Sequence, residues 1–200
     1  MATKTKSKSR RAPPRSRAKR SLRQTARRSS DLKKIVKALE DDHSKVDKLF
    51  KRFEKLKKAE DESRYELVPQ ICTMLKVHAK LEEDLVYPAA HEILGDDADM
   101  VEEAQVEHAS AKQLIAELEQ MNTEEPLFDA KVKVLGEYIN HHVEEEEDEL
   151  FPKLEKKADD QFEGVFEQMQ DMRRTLEEGS GFEQTTRTKR RQSAQMAAHS

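Results

Sequence analysis

The chain has 200 residues, enough for one domain with tails, and its 39% charged against 35% hydrophobic residues leave only narrow apolar stripes for a core. Five Gly, six Pro and no Trp, with Leu, Glu, Lys, Ala and Gln dominating the middle, favour helices over strands. The net charge of -4 conceals an acidic middle between basic ends, and no apolar run suits a membrane span or a secretory leader, so neither is expected.

Residues 1–30 carry four Lys and eight Arg without one acid, almost no large apolar side chain and two adjacent prolines. Self-repulsion with so little surface to bury predicts a disordered basic tail. Twelve positive charges suit non-specific nucleic acid in a salt-sensitive contact, although no aromatic residues interleave them for base stacking. A mitochondrial transit peptide shares this Arg/Ser-rich, acid-poor composition, but Leu22 is the tail's one large apolar residue after Met1, too little for an amphipathic helix. Ser30 and Asp31 then offer an N-cap to a first helix through about Lys58. Its stripe is Ile35, Leu39, Val46, Phe50 and Phe53, with His43 among them.

The second helix, about 64–87, starts or kinks at Pro69 and stripes as Ile71, Leu75, His78, Glu82 and Leu85. Cys72, in "ICTML", reads as an inert core residue; a lone cysteine forms no internal disulfide and fits a reducing, cytoplasmic setting. "LGDDAD" marks a break. The third helix, about 99–121, stripes as Val101, Ala104, His108, Ala111, Ile115 and Leu118. After "NTEEP" the fourth, about 127–150, carries Leu135, Tyr138, Ile139, His142, Glu146 and Leu150. A fifth amphipathic segment, about 158–177, carries Phe162, Val165, Phe166, Met169 and Met172 before Gly179. The expected fold is all-α: an antiparallel up-down-up-down four-helix bundle over residues 31–157, a short C-terminal helix over 158–178, and disordered ends at 1–30 and 179–200. Residues 31–178 hold 21 bases and 40 acids.

The halves repeat. "HAKLEEDLVYP" (His78–Pro88) and "HVEEEEDELFP" (His142–Pro152) share H-x-x-x-E-E-D-x-[VL]-[YF]-P, and each follows a helix with a lone inward histidine, His43 or His108. Positions i and i+4 project from one helix face, so His78 with Glu82 and His142 with Glu146 are pre-paired chelators on apolar stripes. One inward histidine is usually a satisfied core residue. Four at matching levels beside two buried carboxylates are costly unless a cation joins them. His43, His78, Glu82, His108, His142 and Glu146 form a mixed nitrogen/oxygen set that suits two iron ions before zinc or manganese, because carboxylates bridge. Glu83 and Glu147 are expected on a solvated rim, with support of the ligands or reserve ligation as the alternative, Tyr87 and Phe151 as caps at the core end, and Pro88 and Pro152 as helix stops. His141 with Glu145 repeats the spacing out of phase, so the repeat selects His142; His91 has no counterpart and reads as a surface or loop histidine, with a supplementary ligand as the alternative. Tyr138, one turn before His142, is a core tyrosine or a donor to a bound small ligand. A ferritin-like site needs Glu-x-x-His twice and finds it once, at Glu40 and His43.

"DDHSKVDKLFKRFE", "HAKLEEDLVYP", "VEHASAKQLIAEL" and "HHVEEEEDELFP" together resemble the four helices of the hemerythrin-like, HHE cation-binding family, over about residues 31–153. The resemblance implies a four-helix bundle with a non-haem di-iron centre on the same six residues. Oxygen-carrying members place a second histidine one turn from the first on the third helix and an aspartate on the fourth. Lys112 and Ala104 stand at those turns here, and Glu146 replaces the aspartate, which points away from simple oxygen carriage. The function expected is binding, sensing or processing of oxygen, peroxide or nitric oxide, or iron homeostasis. A peroxide-consuming enzyme and a nucleic-acid-associated protein are the alternatives.

Overall fold

Helix α1 (Arg15–Lys58) begins directly after the Pro13-Pro14 pair. The computed structural model describes residues 15–158 and 160–179, with only the backbone path for 15–30. The helix therefore starts well before the expected cap at Ser30–Asp31, and disorder is not what it shows for 15–30. Arg, Lys, Ala, Leu and Gln there are good helix formers, and a preceding proline is a common start signal. Disorder expected for 1–14 and for 180–200 concerns positions outside the described residues. Asp31 lies buried inside α1, where it accepts from Lys34 Nζ at 2.8 Å and from the Gly164 backbone N–H at 3.3 Å.

A 3-10 turn, Glu62–Leu67, leads into α2 (Val68–Leu81), which has Pro69 in its first turn. The chain does not stop at Pro88. It passes through a π-helical turn, Glu82–Val86, into α3 (Tyr87–Leu94). In the second half α5 (Phe128–Glu145) passes through Glu146–Leu150 into α6 (Phe151–Lys157), across Pro152. In each turn the backbone N–H after it reaches back five residues, Tyr87 to Glu82 and Phe151 to Glu146. The widened turn admits a proline ring that would strike a carbonyl in regular α-helix, so both prolines are carried within continuous helices. Between the halves, Gly95 at φ 56 makes the break before α4 (Asp99–Gln120); α7 (Val165–Gly179) closes the described chain. No described helix is long and apolar enough to cross a membrane.

All described elements are helical. α1 packs on α2 and α5, and α4 on α5 and α2, which closes a ring of neighbours; α7 lies across α1 and α2. Two apolar clusters fill the interior. One holds Leu39, Leu81, Tyr87, Val101, Leu150 and Leu154 with Met169 of α7, the other Val46, Phe53, Leu75, Ile115, Phe128 and Leu135. His43, His78, His108 and His142 fall between the two clusters along their helices, so the polar layer has an apolar floor and ceiling.

Met169 is the fully buried anchor of α7, at 0% exposure. Met169→Ala is expected to cost about 2–5 kcal/mol in urea unfolding; a loss below about 1 kcal/mol would mean that α7 is not docked as described.

Candidate metal centre

The six side chains singled out by spacing converge. His43 and His78 face each other with Nε2 atoms 3.0 Å apart, and so do His108 and His142, also at 3.0 Å. Glu82 Oε2 lies 3.1 Å from His78 Nε2 and 3.4 Å from His108 Nε2, and Glu146 Oε2 lies 3.4 Å from His43 Nε2 and 3.5 Å from His142 Nε2. Each glutamate oxygen thus spans both histidine pairs. His43, His78, Glu82 and Glu146 form one group able to hold an ion, and Glu82, His108 and His142 an adjoining one.

The outer ring nitrogens explain why these positions want cations. His43 Nδ1 is 2.8 Å from Glu147 Oε1, His108 Nδ1 3.0 Å from Glu83 Oε1, and His142 Nδ1 2.8 Å from Glu107 Oε2. An ionised carboxylate only accepts, so these Nδ1 atoms carry protons and a neutral ring turns its Nε2 lone pair inward. In the His108/His142 pair two lone pairs then face each other beside a carboxylate oxygen, whereas His78 Nδ1 has no hydrogen-bond partner and its Nε2 can donate to His43 Nε2. Glu82 Oε1 and Oε2 and Glu146 Oε2 are buried without a hydrogen-bond partner. Two donor atoms each about 2.1 Å from a metal and at right angles stand about 3.0 Å apart, so the spacing fits ions between them. The residues present fit a pair of metals.

Without metal, protons occupy these positions. Burial alone would push the His78 imidazolium down, but the Glu82 and Asp42 carboxylates outweigh it and hold its pKa up at about 10. In the other pair, burial likewise opposes charging of His142, and its bond to Glu107 and the charge of Glu146 raise it. His108 is lowered by burial, reinforced by the charge of His142. Burial would raise Glu146, yet the neighbouring His43 ring and the charges of His142 and His78 hold it below the usual carboxylate range. One ring of each pair, His78 and His142, is thus shifted toward its protonated form.

Four residues differ from expectation. Glu83 and Glu147 do not merely line a solvated rim: they accept from His108 and His43, and Lys112 pairs with Glu83 in turn. Tyr87 is more than a cap. Its hydroxyl donates to Glu146 Oε1 at 3.0 Å and lies 3.5 Å from His108 Nε2, whereas its repeat counterpart Phe151 stacks on the His43 ring at 6.2 Å. Burial, then Glu82 and Glu146, push the Tyr87 phenol well above its ordinary pKa, so it stays a donor. Tyr138 is 49% exposed and takes no part in the buried layer. His141 is exposed and pairs with Glu145 at 3.3 Å, and His91 belongs to none of the ligand groups among the described residues.

Two outer carboxylates escaped the spacing argument because they precede the inward histidines. Glu107, before His108, serves His142. Asp42, before His43, lies 3.9 Å from His78 Nδ1. Arg173 of α7 sits 2.6 Å from the same Asp42 oxygen. Burial would raise Asp42, but His78, Arg173 and Lys45 together hold it far below the carboxylate range. A cavity of about 20 Å³, lined by the four histidines with Val46, Leu75, Ala111 and Ile115 among others, adjoins the centre. It has room for about one water-sized molecule.

The hemerythrin HHE cation binding domain family matches residues 34–154. Among curated proteins, a DNA nickase of Nostoc sp. (strain PCC 7120 / SAG 25.82 / UTEX 2576) is 30% identical over 111 residues. Those residues are 55% of this chain but only 30% of the nickase, so the chain spans under a third of that relative's length. No solved structure matches the chain.

Proton occupancy gives the metal-free fold a pH signature. His78 is raised from 6.5 to about 10, so its contribution is complete below about 6.5 and is lost as pH rises through about 10. His142 acts in the same direction and His108 in the opposite one. Glu146, lowered from 4.5, contributes above that value and loses its contribution as pH falls. Scanning calorimetry in chelator should therefore show stability falling between pH 6.5 and 10; a flat or rising profile would contradict the assignment of protons.

Proposed function

Because the chain belongs to the hemerythrin HHE cation-binding family, we propose that it is a non-haem di-iron protein that binds, senses or processes oxygen or a related small oxidant, or serves iron homeostasis. Residues 31–157 form an antiparallel four-helix bundle in this reading. His43 and His78 would hold one ion and His108 and His142 the other, with Glu82 and Glu146 close to both pairs. The two pairs of facing, inward ring nitrogens carry the reading, since nothing but protons or cations relieves them. Shared carboxylates favour iron over zinc or manganese. Bound iron supplies Lewis acidity and one-electron redox chemistry.

The remaining roles belong to the chain. Glu147, Glu83 and Glu107 fix the orientation and tautomer of three ligand rings. Tyr87 holds Glu146 and presents its hydroxyl next to His108, on the side where three rather than four ligands gather. The apolar lining of the small cavity keeps bulk water out and suits a molecule the size of oxygen, peroxide or nitric oxide. Consumption of peroxide at the same centre is the enzymatic alternative. The unpaired, buried Cys72, its thiol pushed up to about 11 by burial and Glu119, suits a reducing, cytoplasmic setting.

Purified full-length protein reconstituted anaerobically with ferrous iron should hold two ions per chain by elemental analysis and gain an absorption band on adding azide or peroxide. Glu82→Ala and Glu146→Ala, checked for helix content, should each lose at least one ion. Wild-type protein that takes up no iron would end this reading.

A second reading has its own support. Residues 1–30 carry twelve positive charges, and a relative is named a DNA nickase. Non-specific nucleic-acid contact through this segment would weaken steeply with salt. In gel shifts across a salt series, protein lacking residues 1–30 should bind duplex DNA at least tenfold more weakly than the full chain; equal affinity would discard the contact.

A further inference from the structure

The two halves of the chain align in sequence around the ligands but diverge on their outer grooves. Where α4 and α5 present Glu103, His141, Glu145 and Glu149, the aligned positions of the first half are Ala38, Val77, Leu81 and Leu85. The apolar groove is covered: α7 packs over α1 and α2, and Arg173 sits on Asp42, the counterpart of Glu107. No described helix covers the acidic groove in that way. A cavity of about 100 Å³ opens there, lined by Glu103, Glu145 and Glu149 and, on its inner side, by His142 and Glu146.

Glu146 is 2% exposed, and its Oε2 atom has no hydrogen-bond partner although it lines this cavity. Further out, His141 Nε2 lies 3.3 Å from Glu145 Oε1 and 3.8 Å from Glu107 Oε1, a three-residue group with ligand spacing. Glu107 turns its other oxygen to His142 Nδ1 at 2.8 Å, so one carboxylate touches both the outer group and an inner ligand. Lys153 pairs with Glu149 at the rim, at 3.3 Å.

We propose that the α4/α5 groove is the port through which a divalent cation reaches the centre, with Glu107, His141 and Glu145 as its first, transient docking site. The proposal rests on the two-metal reading of the centre. A lining of carboxylates with low-dielectric walls concentrates cations, and the unpartnered Glu146 oxygen receives them where the groove meets the ligand layer. A rival opening between α1 and α5 is larger, about 610 Å³, and also acidic, with Glu40, Asp47 and Glu144. His43 lines it on the inner side with Ile139 and Val143, but turns its Nδ1 to Glu147, and Lys51 adds a positive charge to the lining. It lacks a buried carboxylate waiting for a partner.

The test is stopped-flow uptake of ferrous iron by full-length, metal-free protein under anaerobic conditions. Glu103→Gln/Glu145→Gln/Glu149→Gln should slow uptake about tenfold, within the range of electrostatic focusing, while still reaching two ions per chain. Glu40→Gln/Asp47→Asn/Glu144→Gln removes as much charge and should leave the rate within about twofold. His141→Ala, which removes a docking ligand without removing an acid, should also slow uptake. Equal slowing in both triple variants would assign the effect to the acidic domain as a whole and overturn the port, as would an unchanged rate in the first. If wild-type protein binds no iron, the two-metal reading fails first, and that outcome is distinct from normal final loading at an unchanged rate.

Discussion

Four imidazole nitrogens turned toward one another in a dry layer are the constraint on which this molecule is built. Carboxylates behind three of the rings fix where their protons sit, and apolar clusters above and below leave room at the inner nitrogens for little more than one water-sized molecule. A buried polar group is tolerable only with a partner, and lone pairs cannot partner each other. Each pair therefore needs a proton or a cation between its inner nitrogens. Burial opposes charge on His78 and His142, and the carboxylates beside them raise both.

The repeat supplies most of this arrangement twice, and the departures from it give the centre its character. Glu83 and Glu147 take equivalent places, as do Asp42 and Glu107, which precede the inward histidines. Tyr87 and Phe151 do not: one gives a hydroxyl to the ligand layer and the other an apolar face. The two histidine pairs thus have chemically unequal surroundings. Outside the ligand layer the halves part further, into a groove sealed by α7 and one that stays charged and open.

Much of this was legible in the residues. The histidines fall on stripes whose other members are buried, and the doubled motif gives their register, so the six converging side chains follow from periodicity. The outer carboxylates were harder to read. Glu83 and Glu147 sit one position past the inward glutamates, rotated toward solvent on their own helices, and only the neighbouring helix brings a histidine to them. Tyr138 misled for a similar reason: it lies one turn from His142, but the buried face of α5 runs through Leu135 and Ile139, leaving the tyrosine at its margin. The helices continue through Pro88 and Pro152 because a π turn precedes each, and a scheme that knows only i, i+4 geometry reads a proline as an end. The early start of α1 shows that charge density alone does not decide helix formation.

The ligand layer also imposes an order of events on synthesis. His43 meets Glu147 across 104 residues, so the first inward ring is made long before the carboxylate that orients it. Closing so long a span costs entropy that helix pairing within either half does not recover. α7, last of the described helices to leave the ribosome, then settles on the α1/α2 side and places Arg173 beside Asp42. A nascent chain holding only the first half would have His43 and His78 side by side with one carboxylate between them, a half-built chelator whose completion waits on translation.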